Sequence, residues 1–474
     1  MLFWSSIRGL IVRKFINEGH INALHKVCYA SPVVAITMFV APLNIIQGIY
    51  AKHYGLALTT LAMIMLISRV IDTFTDPLIG YFVDSYQTRK GTRKPFIAIG
   101  ALLALVSGYF IYVPPVMVTP IYAAIWFVVM FTAFSLFEIP HQTWPSDIDT
   151  GDAKNTTLGF YSYRVFAIYC GLIIFYSVPF LPIFDSQKIT LDTLRYTFYI
   201  ASVAVIPALI LNVLLVPSGK SSVSIPTGKS MFSWRLIKDT LRMIAINKPF
   251  LLFLLAFIFS GFSVGMWYGV IFIYVDSYLG MGDQFAKMFL IAFLAGLLVT
   301  PVCHRLILLI GKKYTWALGI VLSVISYVYT GFLHPDATTH LQLMLLKVIH
   351  TCGVVCITVV TPAMLSEIAD YSQLRFKHEN NGLYFSIKIF VEKLNLAGGI
   401  ALALAISGWL GYDVSSDYHS DSSLLGLKLA SSWLPAIGGS IALVIIMFSP
   451  INERRHQIIK RRLDAIKSRR PACA

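Results

Sequence analysis

The sequence is poor in charged residues, and this scarcity excludes most classes of soluble protein. Asp, Glu, Lys and Arg together make up 13% of the 474 residues, while hydrophobic residues make up 57%. A soluble domain usually has roughly 25% charged and about 45–50% apolar residues. A soluble fold of this length would lack the polar side chains needed to cover its core. We therefore expect most of the apolar surface to face lipid.

Paired cysteines and a cleavable signal peptide are also lacking. None of the six cysteines forms a Cys-x-x-Cys pair, and most lie in apolar runs, where a thiol behaves as a small hydrophobic side chain. We interpret all six as packing residues without a redox or metal-binding role. The segment 1–28 places aromatic and aliphatic residues at helical spacing with basic residues between them, which is typical of a helix lying on a membrane surface.

Apolar stretches long enough to cross a membrane are abundant. A transmembrane helix needs about 20 apolar residues and must satisfy its own backbone hydrogen bonds in lipid. Six such stretches precede a polar segment and six follow it: 29–50, 57–83, 95–113, 118–138, 158–184, 195–216, 249–275, 285–309, 313–333, 341–368, 382–409 and 424–450. We predict an all-α membrane protein with two six-helix bundles, 29–216 and 249–450. A cytoplasmic linker, 217–248, joins them, and a basic cytoplasmic tail, 451–474, follows.

The distribution of positive charge predicts the orientation of the chain. With both termini in the cytoplasm, 28 of the 38 Lys and Arg residues fall in cytoplasmic segments, five fall in outer segments and five within spans. Cytoplasmic loops of membrane proteins carry this excess of basic residues. The net charge of +15 is thereby explained without nucleic acid. We predict a multi-pass protein of the plasma membrane with both termini cytoplasmic.

The second predicted span carries an unusual group of charges. Asp72 and Asp76 are one helical turn apart on one face, and Arg69 lies three residues before Asp72. Two carboxylates supply hard oxygen ligands for Na⁺, or bind a proton when their repulsion favours it. A packing ion pair between Arg69 and Asp72 is the plainer alternative. An intramembrane prenyltransferase would need a second acidic motif, and Glu367 and Asp370 lack its spacing.

A loop motif follows this group, between the second and third predicted spans. Its glycines, Gly80 and Gly91, permit a close helix approach and a tight turn, and its aspartate, Asp84, can face a helix N-terminus or a basic partner across the bundle interface. The motif is similar to the signature loop of the major facilitator superfamily, which implies that superfamily's fold. Its fixed positions are Gly80, Asp84, Arg89, Gly91, Arg93 and Lys94.

Further charges lie within other predicted spans. Glu138 ends the fourth span and Arg164 begins the fifth, while Lys388, Glu392 and Lys393 share the eleventh. Lys388 and Glu392 are four residues apart and can neutralise each other. Lys393 points about 140° away from Lys388. It either faces the acids of the second span or extends toward the cytoplasm. His141, His304 and His350 are interpreted as loop or packing residues.

Three blocks of the sequence resemble the glycoside–pentoside–hexuronide:cation symporters, the family of the melibiose permease. They are Arg69–Gly80, Glu138–Pro140 with Arg164, and Glu367–Lys393 with Gly411 and Tyr412. The resemblance implies that Asp72 and Asp76 bind Na⁺, Li⁺ or H⁺, and that Glu138 and Arg164 line a sugar site. It also implies that Lys393 lies beside the cation site. We therefore expect Arg69 and Lys393 to couple the ion to transport, with Lys393 neutralising the two aspartates when no ion is bound.

The sequence also departs from the sugar permeases of that family. No Asp or Glu lies between Lys26 and Lys52, Gln142 stands next to the position of a sugar-stacking tryptophan, Trp144 lies two residues further on, and Lys388 replaces an uncharged residue. The predicted substrate-binding residues are Glu138, Gln142, Trp144, Arg164 and Lys388.

The leading hypothesis is a cation-coupled symporter for a sugar or glycoside that works by alternating access. A lysophospholipid or an organic anion is the alternative substrate. We expect no enzymatic activity and no cofactor. The expected partners are the substrate, Na⁺ or H⁺ and the lipid bilayer, with no nucleic acid, and we expect a monomer.

Overall fold

The computed structural model describes residues 22–148, 153–218, 246–336, 338–376, 381–416 and 418–450, together with residues 458, 461 and 462. Most of the predicted interfacial segment 1–28, most of the linker 217–248 and nearly all of the tail 451–474 lie outside the described residues. The predictions for these three segments therefore stay predictions.

Seven α-helices occur among the described residues of the first half of the chain. They are α1 (Ala23–Val40), α2 (Ile46–Tyr54), α3 (Leu58–Lys90), α4 (Lys94–Tyr112), α5 (Pro120–Asp147), α6 (Ala153–Ser177) and α7 (Leu191–Leu215). A 3₁₀ turn at Ala41–Asn44 follows α1 and contains Pro42. Proline lacks the backbone N–H that an α-helix needs at this point and clashes with the preceding turn. The predicted span 29–50 is therefore divided between α1 and α2 rather than continuous.

Seven further α-helices occur in the part of the second half that the structure describes. They are α8 (Lys248–Ile273), α9 (Gly282–Ile310), α10 (Lys312–Gly331), α11 (Thr339–Phe376), α12 (Asn381–Trp409), α13 (Asp421–Lys428) and α14 (Leu434–Met447). A π-helical turn, Tyr274–Tyr278, extends α8, and a second one, Leu429–Trp433, joins α13 to α14.

Twelve helical segments of the described residues are long and apolar enough to cross a membrane, and each overlaps one predicted span. The prediction of twelve spans is confirmed. Large apolar side chains are exposed along these helices, among them Val203, Leu298 and Phe166. Apolar surface on this scale would be unfavourable in water and is the surface that lipid covers.

The chain divides into two compact units. The N-terminal unit takes in the described residues of Met1–Leu56 and Ile64–Gly228, and the C-terminal unit takes in those of Ala57–Met63 and Lys229–Ala474. The division at Gly228 falls within the segment predicted as a linker. All of the second half's helices belong to the C-terminal unit, and most of α3 belongs to the N-terminal unit.

Polar side chains tie the helices of the N-terminal unit to one another. The Tyr50 hydroxyl donates to the Ile111 carbonyl at 2.7 Å, and Asn212 Nδ2 donates to the Cys28 carbonyl at 3.2 Å. Interhelical hydrogen bonds of this kind stabilise membrane proteins by about 0.6 kcal/mol each on average. They matter for helix association because lipid provides little hydrophobic driving force between helices. They hold α1, α2, α4 and α7 in one bundle.

The C-terminal unit combines an aromatic core with direct backbone contact. Phe250, Phe253 and Trp316 are fully buried in its main core cluster. A Cβ atom at Gly319 of α10 would lie 2.7 Å from the Gly353 carbonyl of α11, and a Cβ at Gly353 would lie 2.5 Å from the Gly319 carbonyl. Only glycine permits this approach, so the backbones of α10 and α11 touch.

Candidate functional site

The acidic pair of the N-terminal unit lies in the middle of α3, at the contact with α5. Asp72 is 2% exposed, accepts a hydrogen bond from Ser135 Oγ at 2.8 Å and lies 3.6 Å from Arg69 Nη1. The Arg69 guanidinium stacks 3.7 Å from the centre of the Phe131 ring. The predicted grouping of Arg69 with Asp72 is confirmed, and Ser135 is an additional contact that the sequence analysis did not identify.

Charge balance indicates what this group can bind. Arg69, Asp72 and Asp76 together carry one net negative charge when ionised, so a single monovalent cation neutralises them. Carboxylate oxygens suit Na⁺, and a carboxylate also accepts a proton. No cluster of three or more His, Cys, Asp or Glu side chains with metal-binding geometry occurs among the described residues. Binding of Na⁺ or H⁺ by Asp72 and Asp76 stays a prediction.

A second charged network joins α5 to α6 in the same unit. Arg164 Nη2 donates to both carboxylate oxygens of Glu138, and Gln142 Nε2 donates to Glu138 Oε1. The Tyr161 hydroxyl donates to the Gln142 carbonyl at 2.9 Å. The structure thus brings together three of the predicted substrate-binding residues, Glu138, Gln142 and Arg164.

His141 completes this network, although the sequence analysis interpreted it only as a loop or packing residue. Its Nε2 donates to the Tyr29 carbonyl at 2.9 Å, which leaves Nδ1 to accept from Arg164 Nε at 3.4 Å. The ring stacks on Tyr29 at 4.1 Å and on Phe137 at 5.0 Å. His141 is therefore buried packing, as expected, and it also orients the Arg164 guanidinium.

Trp144 lies in the interior of its bundle. It is 1% exposed, and its Nε1 donates to the Pro217 carbonyl at 3.0 Å. Its ring makes an edge contact with Tyr29 and lies 5.5 Å from Lys94 Nζ. The substrate role predicted for Trp144 gains no support from this position and stays a prediction.

The signature loop forms the turn between α3 and α4. Gly91 has φ of +68°, in the left-handed region that glycine favours, so the predicted tight turn is confirmed. At Gly80, an added Cβ would meet no atom within 4 Å in the described part of the chain, so the close approach predicted there is not found. Arg89 ends α3 with an exposed side chain.

Arg93 connects this turn to two acidic residues. Its Nη1 donates to Asp84 Oδ1 and its Nε to Asp147 Oδ2, both at 2.6 Å. Burial alone lowers the pKa of Arg93, but the hydrogen bonds to Asp147 and Asp84 outweigh it, so the pKa is raised and the guanidinium stays charged. Asp84 therefore has a basic partner, but this partner, Arg93, lies in its own bundle and not across the bundle interface as predicted.

The predicted charges of the C-terminal unit fall into separate pairs. Lys388 Nζ lies 2.6 Å from Glu392 Oε2, which is the predicted neutralising pair along α12. Lys312 Nζ lies 2.6 Å from Glu367 Oε1, so Glu367 joins α11 to the start of α10. Lys393 is half-buried on α12 and takes part in other interactions. Its predicted coupling to Asp72 and Asp76 stays a prediction.

Lys347 is a buried charge to which the sequence analysis assigned no role. The residue is 1% exposed, and its Nζ lies 4.0 Å from the Phe289 ring centre, 4.5 Å from Trp267 and 4.9 Å from Tyr268. A buried cation over an aromatic ring gains about 2 kcal/mol, whereas removing an ammonium from water costs several kcal/mol even after relaxation. The rings offset only part of this cost. The sequence offered one signal for this buried charge: Lys347 lies within a predicted span, and His350 and Thr351 lie on the same helical face.

Comparison with known proteins identifies the class of molecule. The family model described as MFS/sugar transport protein matches residues 28–453. The uncharacterized symporter YnaJ of Bacillus subtilis (strain 168) is 24% identical over 455 residues, covering 94% of this chain and 96% of that protein. Sodium-dependent lysophosphatidylcholine symporter 1 of Xenopus tropicalis is 21% identical over 449 residues, covering 86% and 83% respectively.

Solved structures support the fold. A crystal structure of a mutant of the nucleoside transporter NupG aligns with a TM-score of 0.63 and 10% sequence identity, covering 90% of this chain and 100% of that one. At this identity the likeness concerns the fold alone. The predicted all-α membrane fold of the major facilitator superfamily is confirmed.

Proposed function

We propose that this protein, a member of the MFS/sugar transport protein family of glycoside–pentoside–hexuronide symporters, couples a monovalent cation to the uptake of a sugar or glycoside. Membership of this family makes it a multi-pass membrane transporter rather than an enzyme. The observation that carries the proposal is Asp72, a buried carboxylate held by Ser135 and Arg69 in the middle of a membrane-spanning helix. A charge placed there is costly in lipid and indicates an ion pathway or ion site.

In this proposal the N-terminal unit contributes most residues of the cation site and of the substrate site. Asp72 and Asp76 bind Na⁺ or H⁺, and Arg69 carries the compensating charge when the ion leaves. Glu138, Gln142 and Arg164 contact substrate hydroxyl groups, for which a carboxylate, an amide and a guanidinium supply acceptors and donors. From the C-terminal unit, Lys388 contributes to substrate binding and Lys393 to coupling. Transport proceeds by alternating access. The protein lies in the plasma membrane, and both of its termini are cytoplasmic.

A lysophospholipid or organic anion is the second candidate substrate. It is supported by the Xenopus relative, whose name describes a sodium-dependent lysophosphatidylcholine symporter. A thermal-shift screen of the purified protein against sugars, lysolipids and carboxylates distinguishes these substrate classes, because a ligand of the folded state raises the unfolding temperature.

The test of ion coupling uses the ligand found in that screen. In proteoliposomes, Asp72→Asn should abolish accumulation driven by an inward Na⁺ or H⁺ gradient while retaining most of the counterflow exchange. Asp192→Asn, which removes a carboxylate exposed at the start of α7, is the matched control and should accumulate normally. Normal gradient-driven accumulation by Asp72→Asn would contradict the coupling role.

A further inference from the structure

Four buried polar atoms without protein partners lie together in the C-terminal unit. Among the described residues, Lys347 Nζ, Trp267 Nε1, His350 Nδ1 and Thr351 Oγ1 are buried and have no hydrogen-bond partner. Three of these residues lie on one face of α11, at spacings of three and four, and Trp267 of α8 faces them. Buried polar groups are nearly always paired, so a cluster of four calls for a ligand.

Trp267 contacts both Lys347 and His350. Thr351 lies one helical turn after Lys347 on α11. The Trp267 and His350 rings stack with centroids 4.2 Å apart and an interplanar angle of 25°. Lys347 Nζ lies 4.5 Å from the centre of the Trp267 ring. Thr351 packs against Gly296 of α9, where an added Cβ would lie 3.2 Å from its methyl group. Helices α8, α9 and α11 therefore all border the group.

The chemistry of these atoms selects the charge of the ligand. An ammonium and an indole N–H can only donate hydrogen bonds, and a hydroxyl can donate as well. His350 Nε2 lies 3.2 Å from the Tyr327 hydroxyl; if that hydroxyl donates, the imidazole proton resides on Nδ1, which is then a fourth donor. A cation would be repelled by Lys347, whereas an anion can accept hydrogen bonds from an ammonium, an indole N–H and a hydroxyl.

We propose that Lys347, Trp267, His350 and Thr351 form an anion-binding site for a single carboxylate or phosphate group. The anion comes either with the transported molecule or from the solution. In the first case the inference deepens the proposed transport function and names a charged group on the substrate. The site lies within the C-terminal unit and is separate from the Glu138–Arg164 network and the acidic pair of α3.

The test is an equilibrium titration that needs no transport. The purified full-length protein in lipid nanodiscs is unfolded thermally at constant Na⁺ while chloride is replaced by acetate or inorganic phosphate. Lys347→Met keeps the side-chain length and removes the charge, and Thr351→Val and Trp267→Phe each remove one donor. Lys287→Met, at an exposed lysine of α9, is the matched control.

We expect a saturable rise in unfolding temperature for the wild type and Lys287→Met. Lys347→Met should raise the half-saturating concentration at least about tenfold, which corresponds to 1.4 kcal/mol. Thr351→Val and Trp267→Phe should raise it severalfold, and Lys347→Arg should retain binding. An unsaturable salt effect in the wild type, or unchanged half-saturation in Lys347→Met, would overturn the site and assign the four atoms to water.

A second arm identifies the source of the anion. D-glucose 6-phosphate is compared with inorganic phosphate, and D-glucose is the uncharged control. A half-saturating concentration at least tenfold lower for the sugar phosphate indicates an anion carried by an organic substrate, and equal values indicate free anion. Because no gradient is used, a saturable response in a protein without cation-driven uptake would refute the proposed symport while supporting this site.

Discussion

Two buried basic side chains, one in each unit, have very different surroundings. Arg164, in the N-terminal unit, donates to Glu138 and His141, and Glu138 is further held by Gln142. Lys347, in the C-terminal unit, contacts aromatic rings and has no hydrogen-bond acceptor in the described part of the protein. The first charge is thus part of the structure that holds its bundle together. Under our proposal, the second charge is balanced by an anion that binds to the protein.

The largest expected effect comes from removing Arg164. Arg164→Met leaves the half-buried Glu138 carboxylate without its counter-charge, which should destabilise the protein by about 3 kcal/mol, the lower end of the range for buried ion pairs. Thermal or denaturant unfolding in nanodiscs measures this loss. Arg195→Met, which breaks an exposed pair with Asp192, should change stability by less than about 1 kcal/mol and is the control. Equal effects of the two substitutions would remove the distinction between buried and exposed pairs.

Removing Lys347 should have the opposite sign. Lys347→Met replaces a buried charge by an apolar side chain of similar length and leaves no carboxylate unpaired. Replacing buried ionic groups in this way is often neutral or stabilising by about 1–4 kcal/mol. The same unfolding experiment, run in chloride, should show a stability equal to or above that of the wild type. A loss comparable with that of Arg164→Met would mean that Lys347 also serves a structural role.

A third prediction concerns the coupling of the acidic pair to Lys393. If Lys393 neutralises Asp72 and Asp76, Lys393→Ala should raise their proton affinity and shift the pH dependence of transport upward. Combined with Asp72→Asn, the defect should be non-additive by roughly 0.5–3 kcal/mol. Lys393→Arg should lie between Ala and the wild type. Additive defects with an unchanged pH profile would leave Lys393 as a side chain that merely reaches toward the membrane surface.

The smallest effect is expected at Ser135. Ser135→Ala removes one interhelical hydrogen bond to Asp72, worth about 0.6 kcal/mol on average for such bonds. The unfolding temperature should fall slightly. The Na⁺ or H⁺ concentration that gives half of the maximal ion-induced rise in unfolding temperature should change severalfold. Ser202→Ala, which loses a bond to the Phe198 carbonyl of its own helix, is the control. An identical ion response in both variants would place Ser135 outside the ion site.

The sequence predicted those features that depend on local order. Each predicted span has a helical counterpart because lipid demands about 20 apolar residues in succession and a self-satisfied backbone. Gly91 and the pair Lys388–Glu392 were predictable for the same reason, since a tight turn and a four-residue spacing act within a few residues.

Features built from distant parts of the chain were harder to predict. Ser135 reaches Asp72 across 63 positions, and Trp267 meets His350 across more than 80, so no spacing rule links them. Trp144 was assigned to the substrate because it lies two residues after Gln142, which stands next to the position of the family's sugar-stacking tryptophan. Its burial against Tyr29 depends on packing that this resemblance does not reveal. Glu138 and Arg164 were joined in advance only through a family resemblance.

The contact between Gly319 and Gly353 has a practical consequence for observing this protein at work. Because backbone meets backbone there, no layer of side chains allows α10 and α11 to slide past one another. Spin labels at the exposed positions Tyr329 and Leu345 should therefore give one narrow distance distribution in every state of the transport cycle. The constant distance between α10 and α11 then serves as an internal reference for measuring the displacement of any other helix.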